Sequence, residues 1–401
     1  MSLLEELSPY RSDVIRWRRD FHMYPELGFQ EKRTSGIVRS LLDSFGLEVL
    51  TGFCPAETAV IGVLNTGLPG PTVALRADMD ALPMQDEKDV PYRSRNDGVC
   101  HACGHDGHTA ALLGVARYLS RHREGLRGTV KFVFQPAEEG PAPGGAKLIL
   151  ESGALDGVDY MVGAHQSTYT STGQILGKYG QTCASGDVFD LIVEGRGTHG
   201  CSPHEGSDVV LTAGQIVAAW HTVLSRRIDP MQSAVLSVCS VQAGEPGTKN
   251  VLPGRAVVSG TVRTFDEGVR ERVISCMDSA AGHICAMNGC TCRFERTALY
   301  PSFSNDKSVT DTVLEAARAV VGERGVFLAP EPSTGCEDFA WYANAIPSSF
   351  FMYGVKNEAK GIVYGGHHPK FDLDEDALPV SMAVLIETTK RLLARPERVN
   401  A

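Results

Sequence analysis

Apolar residues recur three and four positions apart from about residue 14 to 45, the spacing that places them on one face of a helix. His22-Met23-Tyr24-Pro25-Glu26 interrupts the pattern, and TSGIVRSLLDSFGL resumes it. Short apolar runs follow at 58–64, 72–77, 129–134 and 160–165, each reading as a buried strand. Helix-like segments lie between them at 109–122 and 144–155. Strands alternating with helices predict an α/β sheet covered on both faces.

Around residue 185 the texture becomes that of a half-exposed sheet. DVFDLIVEGRG (187–197) alternates apolar and polar positions, and a helix-like run follows from about 207 to 227. AVLSVCSVQAG and AVVSGTVRTF read as strands, GVRERVISCMDSAAGHICAMNG as a helix, and TCRFERTAL as a closing strand. This order predicts a compact α+β sandwich, residues 185–296, inserted into a first domain made of 1–184 and 297–401. The first domain's style returns with a helix near 308–321, the strand-like SSFFMYGV and a final helix from residue 377. A chain of 401 residues is long for one domain, in keeping with two.

Composition narrows the function class. A net charge of -10 argues against nucleic acid or an anionic membrane as partner. No apolar stretch is long enough for a membrane span, and the N-terminus lacks the pattern of a signal peptide. Eleven cysteines without a framework spacing read as reduced thiols in a cytoplasm.

The candidate chemistry gathers at strand ends. The run 72–77 leads into Asp78-Met79-Asp80, the run 129–134 into Gln135-Pro136-Ala137-Glu138-Glu139, and YMVGAH ends in His165. In open α/β sheets, sites form at the carboxyl ends of strands. CHACGHDGH (100–108) precedes a helix, with Gly104 between Cys103 and His105, so both side chains can face one point. Thiolate and imidazole suit zinc and related divalent metals. Glu139, His165 and His367 could complete the donor set, enough for two ions if Cys103 bridges them, although His368 competes with His367 as the ligand. Of the adjacent carboxylates Glu138 and Glu139, one can bind metal while its neighbour stays free to act as general base on water, whose pKa such a metal lowers to ~7. Asp80 is either a turn cap or a carboxylate orienting a ligand. The CxxC pair Cys100/Cys103 lacks a thioredoxin-like context, which speaks against a redox enzyme.

RADMDALP (76–83), HACGHDGHTA (101–110), FQPAEEG (134–140), GAH (163–165), GRGTHGCSPHEGSD (195–208), NVLPGRAVVSGTVRTF (250–265), GCEDFAWY (335–342) and HHPKFDLDE (367–375) together resemble one family. It is the co-catalytic metallopeptidase branch of aminoacylases, hippurate hydrolases and auxin-conjugate (indoleacetyl-amino acid) hydrolases. The resemblance implies a zinc-peptidase-like catalytic domain with a mostly parallel central sheet, and an inserted lid that carries a homodimer contact. It implies metal ligands Cys103, His105, Glu139, His165 and His367, with Cys103 bridging. Glu138 would be general base and acid, and Asp80 would support a ligand. His199 would polarise the scissile carbonyl, and Asn250 with Arg263 would hold a substrate carboxylate. The native pair of ions would be manganese or zinc, with cobalt or nickel also suitable.

Two segments depart from the family pattern. Gln166-Ser167-Thr168-Tyr169 replaces an apolar segment containing proline, hinting at a polar substrate group, and Gly200-Cys201 replaces a pair of alanines. The expected activity is hydrolysis of an N-acyl or N-aroyl amino acid, with hinge motion near residues 183 and 296. Three alternatives stand beside it: hydrolysis of a non-amide bond that releases an amine from an aromatic carboxylate, metal-dependent binding without catalysis, and a thiol redox enzyme.

Overall fold

The computed structural model describes residues 2–53 and 58–396. The chain divides into two compact units. The first comprises Met1–Thr182, Ser304–Pro332 and Asp338–Ala401, and the second Cys183–Phe303 with Ser333–Glu337. Among the described residues, no helix is long and apolar enough to cross a membrane.

The first unit is built on an eight-stranded sheet. Its spatial order is Glu48–Thr51, Val60–Asn65, Thr129–Gln135, Thr72–Asp78, Tyr160–Ser171, Ser348–Lys356, Ile175–Gly177 and Val326–Leu328. The four central strands, from Thr129–Gln135 to Ser348–Lys356, run parallel. Their apolar runs follow from that position, because a parallel strand buried on both faces carries little polar alternation. Val73, Leu75 and Ala77 join one core with helices α1 (Leu3–Met23), α3 (His105–Arg121) and Ala377–Leu393.

Helix α1 starts at Leu3, well before the pattern expected from residue 14. Its start is a capping box: Glu5 N–H donates to Ser2 Oγ, and Ser2 N–H donates to the Glu5 carboxylate at 2.7 Å. Leu7, Val14, Trp17 and Phe21 are buried along one face at helical spacing. After Tyr24 the chain turns through residues 25–31 into α2 (Lys32–Ser44). The strand read as ending at His165 continues to Ser171, because Ser348–Lys356 pairs with it past a register shift at Gly354/Lys356. The helix expected over 144–155 is shorter, Gly145–Glu151.

The second unit is an antiparallel four-stranded sheet, in the order Ala234–Ala243, Arg255–Thr264, Asp187–Glu194 and Thr291–Ala298. Helices Val209–Arg227 and Glu267–Met287 pack together with its strands around one core. Trp220, fully buried, stands edge-on to Phe189 at 5.2 Å and donates its indole N–H to the Met277 carbonyl at 2.8 Å. That pairing buries the large aromatic surface without orphaning its polar atom.

Candidate active site

Adjacent parallel strands deliver the first residues. Asp78 pairs in register with Gln135, so Asp80 and the Glu138-Glu139 pair leave the same sheet edge, with His165 on the neighbouring strand. Cys103 and His105 enter from α3, where Gly104 at the helix N-cap holds φ 86. A Cβ there would stand 2.8 Å from Gln166 Cγ, so glycine is required twice over. His367, also at positive φ (62), is held by its own N–H, which donates to the Ala102 carbonyl at 2.8 Å.

These donors fall into two groups sharing one sulfur. Cys103, His105 and His165 form one, and Cys103, Glu139 and His367 the other, with ligand atoms in each lying within 4.8 Å of one another. Cys103 Sγ is 3.5 Å from His165 Nε2, and His367 Nε2 is 3.1 Å from Glu139 Oε1. Glu138 Oε2 stands 3.9 Å from His105 Nε2.

Hydrogen bonds fix which imidazole nitrogens face inward. His105 Nδ1–H donates to the Asp80 carbonyl at 3.0 Å, and His165 Nδ1–H donates to the Gln166 carbonyl at 2.8 Å. Both Nε2 lone pairs are left for a metal, the usual arrangement of ligating histidines. His105 Nε2 is buried and has no hydrogen-bond partner, an orphan that a bound cation would satisfy. The donor chemistry therefore fits divalent ions, and Cys103 belongs to both groups.

The charges agree. Burial and Glu139 push the Cys103 thiol up, but His105 and His165 outweigh them and bring it to about 6. Hydrogen bonds to Cys103 and Glu139 raise His367 to about 10. Burial opposes charge on His105, yet Asp78 and Cys103 hold it well above the ordinary imidazole range. Thiolate and carboxylate thus keep protons on the imidazoles, and divalent ions would displace those protons.

Asp80 supports two segments at once. Its carboxylate accepts the Glu139 N–H at 2.8 Å while its carbonyl orients His105. Three further supports escaped the sequence reading. His108, buried, donates Nδ1–H to Asp78 at 2.6 Å and accepts the Gln166 N–H at 3.0 Å. Its place three residues after His105 on α3 was the available signal, since i and i+3 share a helix face. Arg76 bonds Asp78 at 2.6 Å and Asp338, of the GCEDFAWY motif, at 2.8 Å. Arg18 of α1, fully buried, bonds Asp106 at 2.8 Å, Asp372 at 2.6 Å and Glu375 at 3.3 Å, tying the CHACGHDGH turn to the segment that carries His367.

Cys100 lies outside both donor groups and is pushed up to about 12 by burial. It neighbours His22 and Asp86, where Lys88 Nζ already sits 2.7 Å from His22 Nε2 and 3.4 Å from Asp86. Of the atypical segment 166–169, the first three residues are buried. Gln166 Nε2 donates to the Cys103 carbonyl at 3.1 Å and Ser167 pairs with Thr170, so these side chains are engaged by the chain itself. Tyr169, 94% exposed, is the one side chain of the four that projects.

In the second unit, His199 lies on a short antiparallel pair opposite Val251, with Asn250 in the turn just before that strand. Asn250 Nδ2 is 3.5 Å from His199 Nε2, and Cys201 N–H donates to His199 Nδ1 at 3.1 Å. Arg263 lies on Arg255–Thr264, its guanidinium donating to the carbonyls of Val262 (3.0 Å) and Asp187 (3.2 Å) and to Thr261.

Peptidase family M20/M25/M40 matches residues 74–391. The chain is 38% identical over 383 residues to thermostable carboxypeptidase 1 of Saccharolobus solfataricus, covering 94% of this chain and 96% of that one. It is 37% identical over 387 residues to N-acetyl-L-cysteine deacetylase of Bacillus subtilis, covering 96% and 90%. Among solved structures, the Bacillus subtilis YXEP protein, described as a dinuclear metal binding peptidase from the M20 family, superposes with a TM-score of 0.81 at 36% identity, covering 96% and 99%. The chain belongs to peptidase family M20/M25/M40 and is a metal-dependent hydrolase of amide C–N bonds.

Proposed function

We propose that this enzyme cleaves an N-acyl or N-aroyl amino acid into a carboxylic acid and an amino acid, with Glu138 as the proton carrier. The observation that carries the reading is the placement of Glu138. It is largely buried, adjacent in sequence to Glu139 of the second donor group, and 3.9 Å from His105 of the first. A carboxylate there can take a proton from attacking water and return it to the leaving nitrogen. Cys103, His105, Glu139, His165 and His367 would hold two divalent ions, which would supply Lewis acidity to polarise a carbonyl and acidify water. Manganese or zinc suits the mixed sulfur, nitrogen and oxygen donors, and cobalt or nickel is compatible with them.

His199 fits the role of oxyanion donor. Its Nδ1 accepts the Cys201 N–H, which leaves Nε2, 3.5 Å from Asn250 Nδ2, as the ring nitrogen that would turn to a carbonyl oxygen as charge develops. Asn250, beside that nitrogen, and Arg263 would anchor the substrate carboxylate, the guanidinium leaving its present carbonyl partners to do so. The names of the two relatives, a carboxypeptidase and an N-acetyl-amino acid deacetylase, fit a substrate of this class.

The second unit would serve as lid and homodimer contact. Its edge strand Ala234–Ala243 carries no charged residue, whereas the opposite edge carries Arg293, Glu295 and Arg296, and an uncharged edge supports pairing with a second copy. The cysteines of the described residues are free thiols, which supports a cytoplasmic location. The test is release of free amino acid from N-acetyl, N-benzoyl and indoleacetyl amino acids by protein reconstituted with manganese or zinc. Turnover of one of these classes supports the reading, and failure on all of them while a peptide is hydrolysed would replace it with a peptidase.

A further inference from the structure

We propose that Glu31 is a positioning residue that holds Glu138 in place through the backbone of Ala137, an inference that rests on the reading of Glu138 as proton carrier. Glu31 stands at the N-cap of α2, yet its carboxylate makes no cap hydrogen bond there. The helix start is served instead by Glu26, which accepts the N–H groups of Arg33 at 2.9 Å and Thr34 at 2.8 Å. Glu31 turns inward, is completely buried, and accepts the Ala137 N–H at 2.9 Å.

Ala137 is the residue before the Glu138-Glu139 pair, and it holds φ 55. An L-residue keeps that backbone only where its surroundings over-determine it. On the other side of Glu138, the Glu139 N–H is held by Asp80 at 2.8 Å. The two amides flanking Glu138 are therefore each tied to a carboxylate, one from residue 31 and one from residue 80. The strap carrying Glu31 lies hard against the same turn: a Cβ on Gly28 would come 1.9 Å from the Gly140 carbonyl oxygen and 3.0 Å from Ala137 Cβ.

Burial of a carboxyl group here is costly, and a leucine would fill the space without that cost. Burial and the nearby Asp80 charge push Glu31 up to about 7, opposed by the hydrogen bonds it receives. What the carboxyl supplies, and an apolar side chain would not, is an acceptor for the Ala137 amide. Glutamine supplies the same acceptor. Aspartate, one methylene shorter, does not reach it.

The experiment compares Glu31→Leu, Glu31→Asp and Glu31→Gln with wild type and Glu138→Ala, all loaded with manganese. Metal content, kcat and KM on the panel substrate turned over fastest by wild type, and amide exchange of the peptide spanning 134–140 are measured. Glu31→Leu and Glu31→Asp are expected to keep both ions and KM but to lose about tenfold or more in kcat, with faster exchange at 134–140. Glu31→Gln is expected to restore both kcat and slow exchange. Unchanged kcat in Leu and Asp variants while Glu138→Ala is inactive would overturn the positioning role alone, as would a Gln variant no better than Leu. Should the Leu variant not fold, the Asp and Gln variants decide between these outcomes. Full turnover in Glu138→Ala would overturn the proton-carrier reading and the positioning role with it.

Discussion

His105 donates its Nδ1 proton to the main-chain oxygen of Asp80, 3.0 Å away, and the Asp80 carboxylate in turn holds the Glu139 amide at 2.8 Å. One residue thus orients a donor in each of the two groups that share Cys103. Asp80→Ala keeps the His105 contact to the main chain but frees the Glu139 backbone. Metal affinity is expected to fall by ~10–100-fold, read as the chelator concentration that strips the ions. An unchanged chelator titration would show that Asp80 only caps a turn.

The two cysteines of the CxxC pair should behave oppositely. Cys103, brought to about 6, is largely thiolate at neutral pH in metal-free protein, whereas buried Cys100 is pushed up to about 12. Thiolate is the reactive form. Iodoacetamide at pH 7 is expected to label Cys103 in chelated protein, to be blocked by metal, and to leave Cys100 unlabelled; peptide mapping checks all three. Cys103→Ser is expected to lose metal, and Cys100→Ser to keep it.

Metal loading at pH 7 is expected to release about two protons per chain, mainly from His105 and His367, measurable in weakly buffered solution. The same shifts set the pH dependence of the metal-free protein. His367 is raised in the folded state to about 10, so its stabilising contribution is whole below its unfolded value of ~6.5 and is lost as pH rises through 10. A Tm of the chelated protein that falls on the alkaline side, but less so in His367→Gln, would bear this out.

Arg18 links the CHACGHDGH turn to the His367 segment through ion pairs to Asp106, Asp372 and Glu375. Arg18→Met leaves Asp106, Asp372 and Glu375 without their shared cation. Truncating one partner of such a buried network costs ~3–5 kcal/mol, expected as a lower midpoint in urea unfolding. Gly28→Ala forces the strap away from the Gly140 carbonyl and is expected to destabilise by ~1–3 kcal/mol.

Legibility in the sequence followed the length scale of each signal. The central strands were readable because burial on both faces leaves continuous apolar runs, as in TVALRA and TVKFVF. Short edge strands such as Glu48–Thr51 and Val326–Leu328 carry too few residues for a period to show. The donors Cys103, His105, Glu139, His165 and His367 were chosen for their chemistry, and the fold brings all five together. Their supports were less visible. Arg18 looks like one of several helix-surface bases, and Glu31 like an acid suited to a helix start, until tertiary contacts assign them partners. Gln166 suggested a polar pocket wall, but a side chain's partners depend on packing that composition does not encode.

In the proposed reaction Glu138 moves the proton while other residues hold the metal. The most direct measurement is metal content together with turnover in Glu138→Ala, beside wild type, on the N-acyl amino acid panel. About two divalent ions per chain are expected in both proteins, with kcat lost in the variant. Metal retained with turnover intact in Glu138→Ala, or no metal bound by wild-type protein never exposed to chelator, would contradict that reaction.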